Sequence, residues 1–388
     1  MRRILFISLA VLAGVSRSEK VGPWDLDALA RVPRAEWGAI SNGVQEVYFE
    51  GEPYSGKTTR VFAYFGKPTN NAAKFPAVVL VHGGGGKAFP DWVRHWTARG
   101  YVAISMDTAG HGPNGRLPDG GPEQNDTCKF RDFSDGDVRD MWTYHAVADV
   151  LLAHALIASR QDVDADRVAE TGISWGGYLS CIVAGLDQKL RACVPVYGCG
   201  FLDENSTWLP SQFKPMKEDR RKRWVETFDP SKYVGRASCP MLFLDGTCDF
   251  AYPMDSLQKT YNLVSKSPVT LSVEINRKHG HIWNFPEVDA FIDSFLKESP
   301  PLDKVSAMKV ADGIASCSFS SAVPVTKAEI NFTSDTGNWQ KRVWRSEPAE
   351  MKGSSVIAKL PDQRPLVCYL RLIDDRGCAV TTPHVELP

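Results

Sequence analysis

The sequence is short of several things. Cysteine is sparse: nine in 388 residues, at 128, 181, 193, 199, 239, 248, 317, 368 and 378, with no C-x-x-C spacing. That excludes the usual zinc modules. No excess of charge exists either, since 45 Lys and Arg stand against 46 Asp and Glu. Nothing therefore draws the chain to nucleic acid, and no such partner is expected. Past the N-terminus, no uncharged apolar run approaches the ~20 residues that span a bilayer, so no integral membrane segment is expected. Repeats and low-complexity tracts are missing, which excludes a solenoid. The glycine run 83–86 is followed by Lys87 and Ala88. A phosphate loop would need G-K-[S/T] there. Neither a metal nor an organic cofactor is expected.

At the N-terminus, Met1-Arg2-Arg3 precedes an apolar stretch from Ile4 to Val15 and the small residues Gly14, Ser16 and Ser18. This is the layout of a secretory signal peptide over residues 1–18, and it implies a secreted or periplasmic protein. In an exported chain the odd cysteine count leaves at least one thiol unpaired. Several cysteines sit in apolar runs, as Cys193 does, and read as small buried hydrophobes. Cys368 and Cys378 leave open a loop-closing pair. The basic run Arg220–Arg223 follows Glu218 and Asp219 and reads as a solvated helix face. Sequons occur at Asn125, Asn205 and Asn331.

Two organisations follow one another. Val44–Glu50 and Thr59–Tyr64 read as a hairpin. The apolar strands Phe75–Val81, Tyr101–Met106, Arg167–Ile173, Arg191–Val196, Pro240–Leu244 and Val269–Ile275 then alternate with helical stretches at 91–99, 137–159, 180–185 and 288–296. That pattern predicts an α/β domain over 19–298, a mostly parallel sheet with helices on both faces. Glu298-Ser299-Pro300-Pro301 is a linker signal. Beyond it, 316–320, 327–332, 341–344, 355–358 and 366–372 read as strands of a small all-β sandwich, residues 303–388.

Gly172-Ile173-Ser174-Trp175-Gly176 matches G-x-S-x-G between a strand and an apolar helix, the context that exposes a nucleophilic serine at a strained turn. A serine hydroxyl needs a base, and the base needs an orienting acid. Past Met241–Leu244 lie Asp245 and Asp249, and past Leu271–Ile275 lie His279 and His281. Asp249, in the loop, reaches an imidazole more easily than Asp245, which suits a turn cap. His281 follows Gly280 and is the expected base, with His279 as the alternative. Oxyanion donors are expected from the Trp175 N–H and from the glycine run, Gly84 first and then Gly85.

The strand leading into His82–Gly86, the Asp107–Gly112 turn, the elbow at Ser174, the G-x-x-D at 246–249 and Gly280-His281 occur in the order of an α/β-hydrolase, which residues 44–297 resemble. Within that superfamily the chain is similar to exported esterases of the dienelactone hydrolase and acetyl xylan esterase group. The resemblance implies a serine carboxylic-ester hydrolase with the triad Ser174, Asp249 and His281, acting on a small-molecule or polysaccharide ester. Two departures are visible: Ser174 stands where dienelactone hydrolase has cysteine, and the Arg-Gly-Gln and His-x-Glu elements of the acetyl xylan esterase family are missing. The elbow is also similar to the prolyl-oligopeptidase family, but too few residues precede Phe75 for a β-propeller. A non-catalytic scaffold is the third reading, and the complete triad weighs against it. Residues 108–136 and 198–238 are long insertions that shape the cleft. Trp208 and Trp283 are candidate sugar-binding faces, with Trp339 and Trp344 in the sandwich as a further possibility.

Overall fold

The computed structural model describes residues 19–69 and 73–388; the expected leader lies outside them. A nine-stranded sheet forms the centre. Its strands are β1 (Ala35–Ser41), β2 (Val44–Glu50), β3 (Arg60–Gly66), β4 (Phe75–Val81), β5 (Val102–Met106), β6 (Val163–Ile173), β7 (Ala192–Val196), β8 (Met241–Gly246) and β9 (Val269–Glu274). Their order across the sheet is β9-β8-β7-β6-β4-β5-β3-β2-β1. From β9 to β5 the pairing is parallel, and β3, β2 and β1 add an antiparallel edge. The predicted hairpin is β2–β3. The strand β1 was not expected, because its outward-facing residues show no alternation.

Of the helices α1 (Pro90–Ala98), α2 (Asp126–Phe130), α3 (Trp142–Ala158), α4 (Trp175–Leu186), α5 (Glu218–Phe228), α6 (Met254–Asn262) and α7 (Pro286–Leu296), α1, α3, α4, α6 and α7 pack on the sheet, while α2 and α5 lie in the two insertions. β4 is buried along its whole length, as its unbroken apolar run requires of a central parallel strand. The parallel register sets the strand ends level: Val81 lies opposite Gly172, Ile173 opposite Val196, and Val196 opposite Leu244. The loops carrying His82–Gly86, Ser174, Tyr197, Asp249 and His279–His281 therefore leave one edge of the sheet, where ligands bind in open α/β sheets.

The C-terminal part is all β, in two five-stranded sheets. The expected strand at 341–344 is instead a single helical turn, Trp339–Lys341, ahead of the strand Arg345–Pro348. Cys317, Ile330, Phe332, Val356, Leu370 and Leu372 fill the space between the sheets. Along Leu366–Asp374, Cys368, Leu370 and Leu372 face that core, whereas Val367 and Tyr369 join the core of the α/β part. All nine cysteines carry free thiols, seven of them buried, so Cys368 and Cys378 close no loop. Among the described residues no helix is long and apolar enough to cross a membrane.

Candidate active site

Ser174 sits at φ 62°, ψ −118°, between β6 and α4. A non-glycine residue held there costs about 1–3 kcal/mol, which the surroundings must offset. The Ser174 N–H donates to Val196 O at 2.8 Å, and the Ser174 carbonyl accepts from the Tyr178 N–H at 2.9 Å. The flanking glycines make the turn possible. A Cβ on Gly172 would lie 2.4 Å from the Gly176 carbonyl, and one on Gly176 would lie 2.2 Å from Val81 O. The Trp175 N–H is the first of the helix and has no hydrogen-bond partner among the described residues. It adds to the positive end of the α4 dipole beside the Ser174 hydroxyl.

The glycine loop is fixed by a residue that the motif reading passed over. His82 is fully buried. Its Nε2 accepts from the Thr108 N–H at 2.9 Å, which leaves the proton on Nδ1 to donate to Gly83 O at 2.8 Å. Gly86 N–H donates to the same carbonyl at 3.1 Å. A trans peptide points its N–H opposite its C=O. Pinning Gly83 O therefore turns the Gly84 N–H away from His82, and that N–H has no partner among the described residues. Gly85 adopts φ 67°, the left-handed region open to glycine. Burial, the largest influence, lowers the His82 pKa and keeps it neutral. The signal in the sequence was the histidine directly before the glycines.

Asp249 is buried, and its Oδ1 accepts the N–H groups of Ala251 and Tyr252, each at 2.8 Å. Its Oδ2 meets Nδ1 of His279 at 2.6 Å. The expected contact with His281 is not made. The reason is packing: the His279 ring stacks on Tyr197 with centroids 4.7 Å apart, and the Tyr197 hydroxyl donates to Lys278 O at 3.0 Å. His281 lies instead on the nucleophile side. Its Nε2 accepts the Gly83 N–H at 3.1 Å, and its carbonyl accepts from Trp92 Nε1 at 3.0 Å. A Cβ on Gly83 would stand 2.7 Å from Ser174 Cβ and 2.9 Å from His281 Nε2, so serine and imidazole flank one glycine. Burial, aided by His82 and His279, pushes the His281 pKa down to about 4. Asp245 caps its own turn, Oδ1 accepting the Gly246 N–H at 2.7 Å. Burial first, then Asp249, raises its pKa.

The tryptophans are not free faces. Trp208 is buried, its ring 4.4 Å from that of Trp175. Trp283 is held between Trp92 and Trp96, and its Nε1 donates to Asp289 at 3.2 Å. Trp339 and Trp344 are buried too. Lys129, on the short helix α2 of the first insertion, occupies the aromatic pocket behind Trp175. Its Nζ lies 4.3 Å from the Trp175 ring centroid, and 5.9 Å from those of Trp142 and Trp208. Burial lowers its pKa against the pull of Asp126, 3.0 Å away. The basic run on α5 is not merely solvated. Arg220 donates to Phe130 O and Arg223 to Phe133 O, which ties the second insertion to the first. Among the described residues no cluster of His, Cys, Asp or Glu gathers to hold a metal.

Residues 25–204 match the sequence model of the acetyl xylan esterase family. Acetyl esterase Axe7A of Xylanibacter ruminicola is 26% identical over 232 residues, 56% of this chain and 52% of that protein, so the match spans about half of the relative's length. The acetyl xylan esterase from Paenibacillus sp. R4 superposes with a TM-score of 0.57 at 21% identity, over 70% of this chain and 92% of that one. Acetyl xylan esterase 1 from Thermoanaerobacterium sp. JW/SL YS485 gives 0.55 at 20% identity, over 72% and 95%.

Proposed function

We propose that this chain, by fold a member of the α/β-hydrolase superfamily, is a serine carboxylic-ester hydrolase that removes acetyl or other small acyl groups from carbohydrate. The observation that carries the reading is the strained Ser174, flanked across Gly83 by the His281 imidazole, with unpartnered N–H groups on the next residue of each loop, Trp175 and Gly84. The match to the acetyl xylan esterase family supports the substrate class.

Ser174 Oγ attacks the ester carbonyl as His281 Nε2 leaves the Gly83 N–H and takes the hydroxyl proton. The Trp175 and Gly84 N–H groups stabilise the oxyanion, each such donor contributing about 2.7–4 kcal/mol. His281 protonates the departing alcohol, and water then releases the acid from Ser174 by the same steps reversed. Asp249 supplies the negative charge beside the imidazole pair. A second reading, with His279 as the base, is favoured by the Asp249–His279 hydrogen bond.

Hydrolysis of 4-nitrophenyl acetate, 4-nitrophenyl octanoate and a peptide anilide tests the proposal. The acetate is expected to be turned over fastest, and Ser174→Ala to lower the rate by at least about 10⁴-fold. Cleavage of the anilide alone would replace the esterase reading with a peptidase one.

A further inference from the structure

Among the described residues only two of the Phe, Tyr and Trp side chains are exposed by more than a third, Trp37 and Phe250. Trp37 lies on the edge strand β1, remote in the sheet order from β8 and β9. Phe250 directly follows Asp249 and is 58% exposed. The backbone around it is held, because Asp249 Oδ1 accepts both the Ala251 and Tyr252 N–H groups, and those two side chains are buried. The turn thus directs Phe250 outward. One side of its ring rests on His279, with centroids 4.8 Å apart. Ile282, next to His281, is 83% exposed. The β sandwich reaches the same loop: the Cys248 thiol donates to Arg342 O at 3.1 Å, and the following Val343 is 67% exposed. Apolar side chains from three segments are therefore left uncovered around the acid and histidine loops, where Trp208 is buried and Trp283 half-buried against other aromatic rings.

We infer that Phe250 is a specificity-determining residue, the surface on which a sugar ring of the ester's alcohol part stacks while its acyl group enters beside Ser174. This rests on the esterase reading. A pyranose presents an apolar face of C–H groups that matches a flat aromatic ring, and its hydroxyls keep to water. 4-Nitrophenyl acetate carries the same acetyl group on a far better leaving group, so its cleavage depends much less on how the alcohol part is held than that of an unactivated sugar acetate.

The test is kcat/KM for an acetylated xylo-oligosaccharide divided by that for 4-nitrophenyl acetate. Phe250→Ala is expected to lower this ratio about 3- to 10-fold, chiefly by raising KM for the sugar, in line with the loss of one aromatic contact. Phe250→Trp is expected to keep it. An unchanged ratio, with both substrates falling together, would assign Phe250 only to packing on His279 and overturn the inference. A wild-type enzyme that cleaves the aryl acetate but not the sugar acetate would overturn it while leaving the esterase reading standing. Failure on both would remove the esterase reading itself.

Discussion

His279 and His281 are two residues apart, yet their rings meet different partners. His279 Nδ1 holds Asp249, and His281 Nε2 holds the Gly83 N–H beside the nucleophile. A base must first reach the proton it abstracts, and that criterion favours the proposed reading with His281 as the base, since His281 lies on the nucleophile side while His279 holds Asp249. His281→Gln is expected to lower kcat on 4-nitrophenyl acetate by about 10³-fold or more, and His279→Gln by about 10-fold with a shifted acid limb in the pH profile. The reverse ranking would make His279 the base. The sequence placed both histidines at the right strand end, because a strand running into Arg277–His281 is a local pattern. It could not rank their contacts, which depend on the Tyr197 ring, a tertiary partner. The same blindness applies to Trp208 and Trp283: exposure is set by what distant segments bring over a side chain, Lys129 of the first insertion at Trp208 and the rings of Trp92 and Trp96 at Trp283.

The elements show why the α/β part was legible. β4 and β7 are apolar along their length, and β8 as far as Leu244, as buried central strands of a parallel sheet require. The edge strand β1 carries Trp37, Ile40 and polar residues with no period, and so gave no signal. β6 hides one carboxyl in this apolar setting. Glu170 is fully buried, accepting from Ser180 Oγ at 2.7 Å and Cys193 Sγ at 3.0 Å. Burial dominates and raises its pKa to about 8. The folded carboxyl holds a proton that the unfolded chain releases near its ordinary value of 4.5. Its contribution is thus fully present below pH 4.5 and is lost as the pH rises through 8. Thermal melts from pH 5 to 9 are expected to show falling stability for the wild type, and a smaller fall for Glu170→Gln. Parallel curves for the two proteins would contradict this.

At the scale of the molecule, the sandwich is not an appendage on a linker. The outer face of its strand Leu366–Asp374 lies in the α/β core, with the Tyr369 hydroxyl donating to Val273 O at 3.4 Å. Arg376 donates to the carbonyls of Pro300 and Pro301, and the Ala379 N–H donates to Glu287 Oε1 at 3.2 Å. One thermal transition is therefore expected for the full chain, and Tyr369→Ala should lower its midpoint by opening a cavity costing about 3–5 kcal/mol. Two separated transitions in calorimetry would show that the parts are independent. The proline-rich stretch 298–301 lies between α7 and the first of the C-terminal strands. The docking could not be read there, because one strand serves two cores through its alternate residues.

The most direct measurement is acetate release from acetylated xylan by the wild type and by Ser174→Ala. Release by the wild type, lowered at least about 10⁴-fold in the variant, is the predicted result. Release that persists in Ser174→Ala would contradict the account, because every step proposed here begins at that hydroxyl.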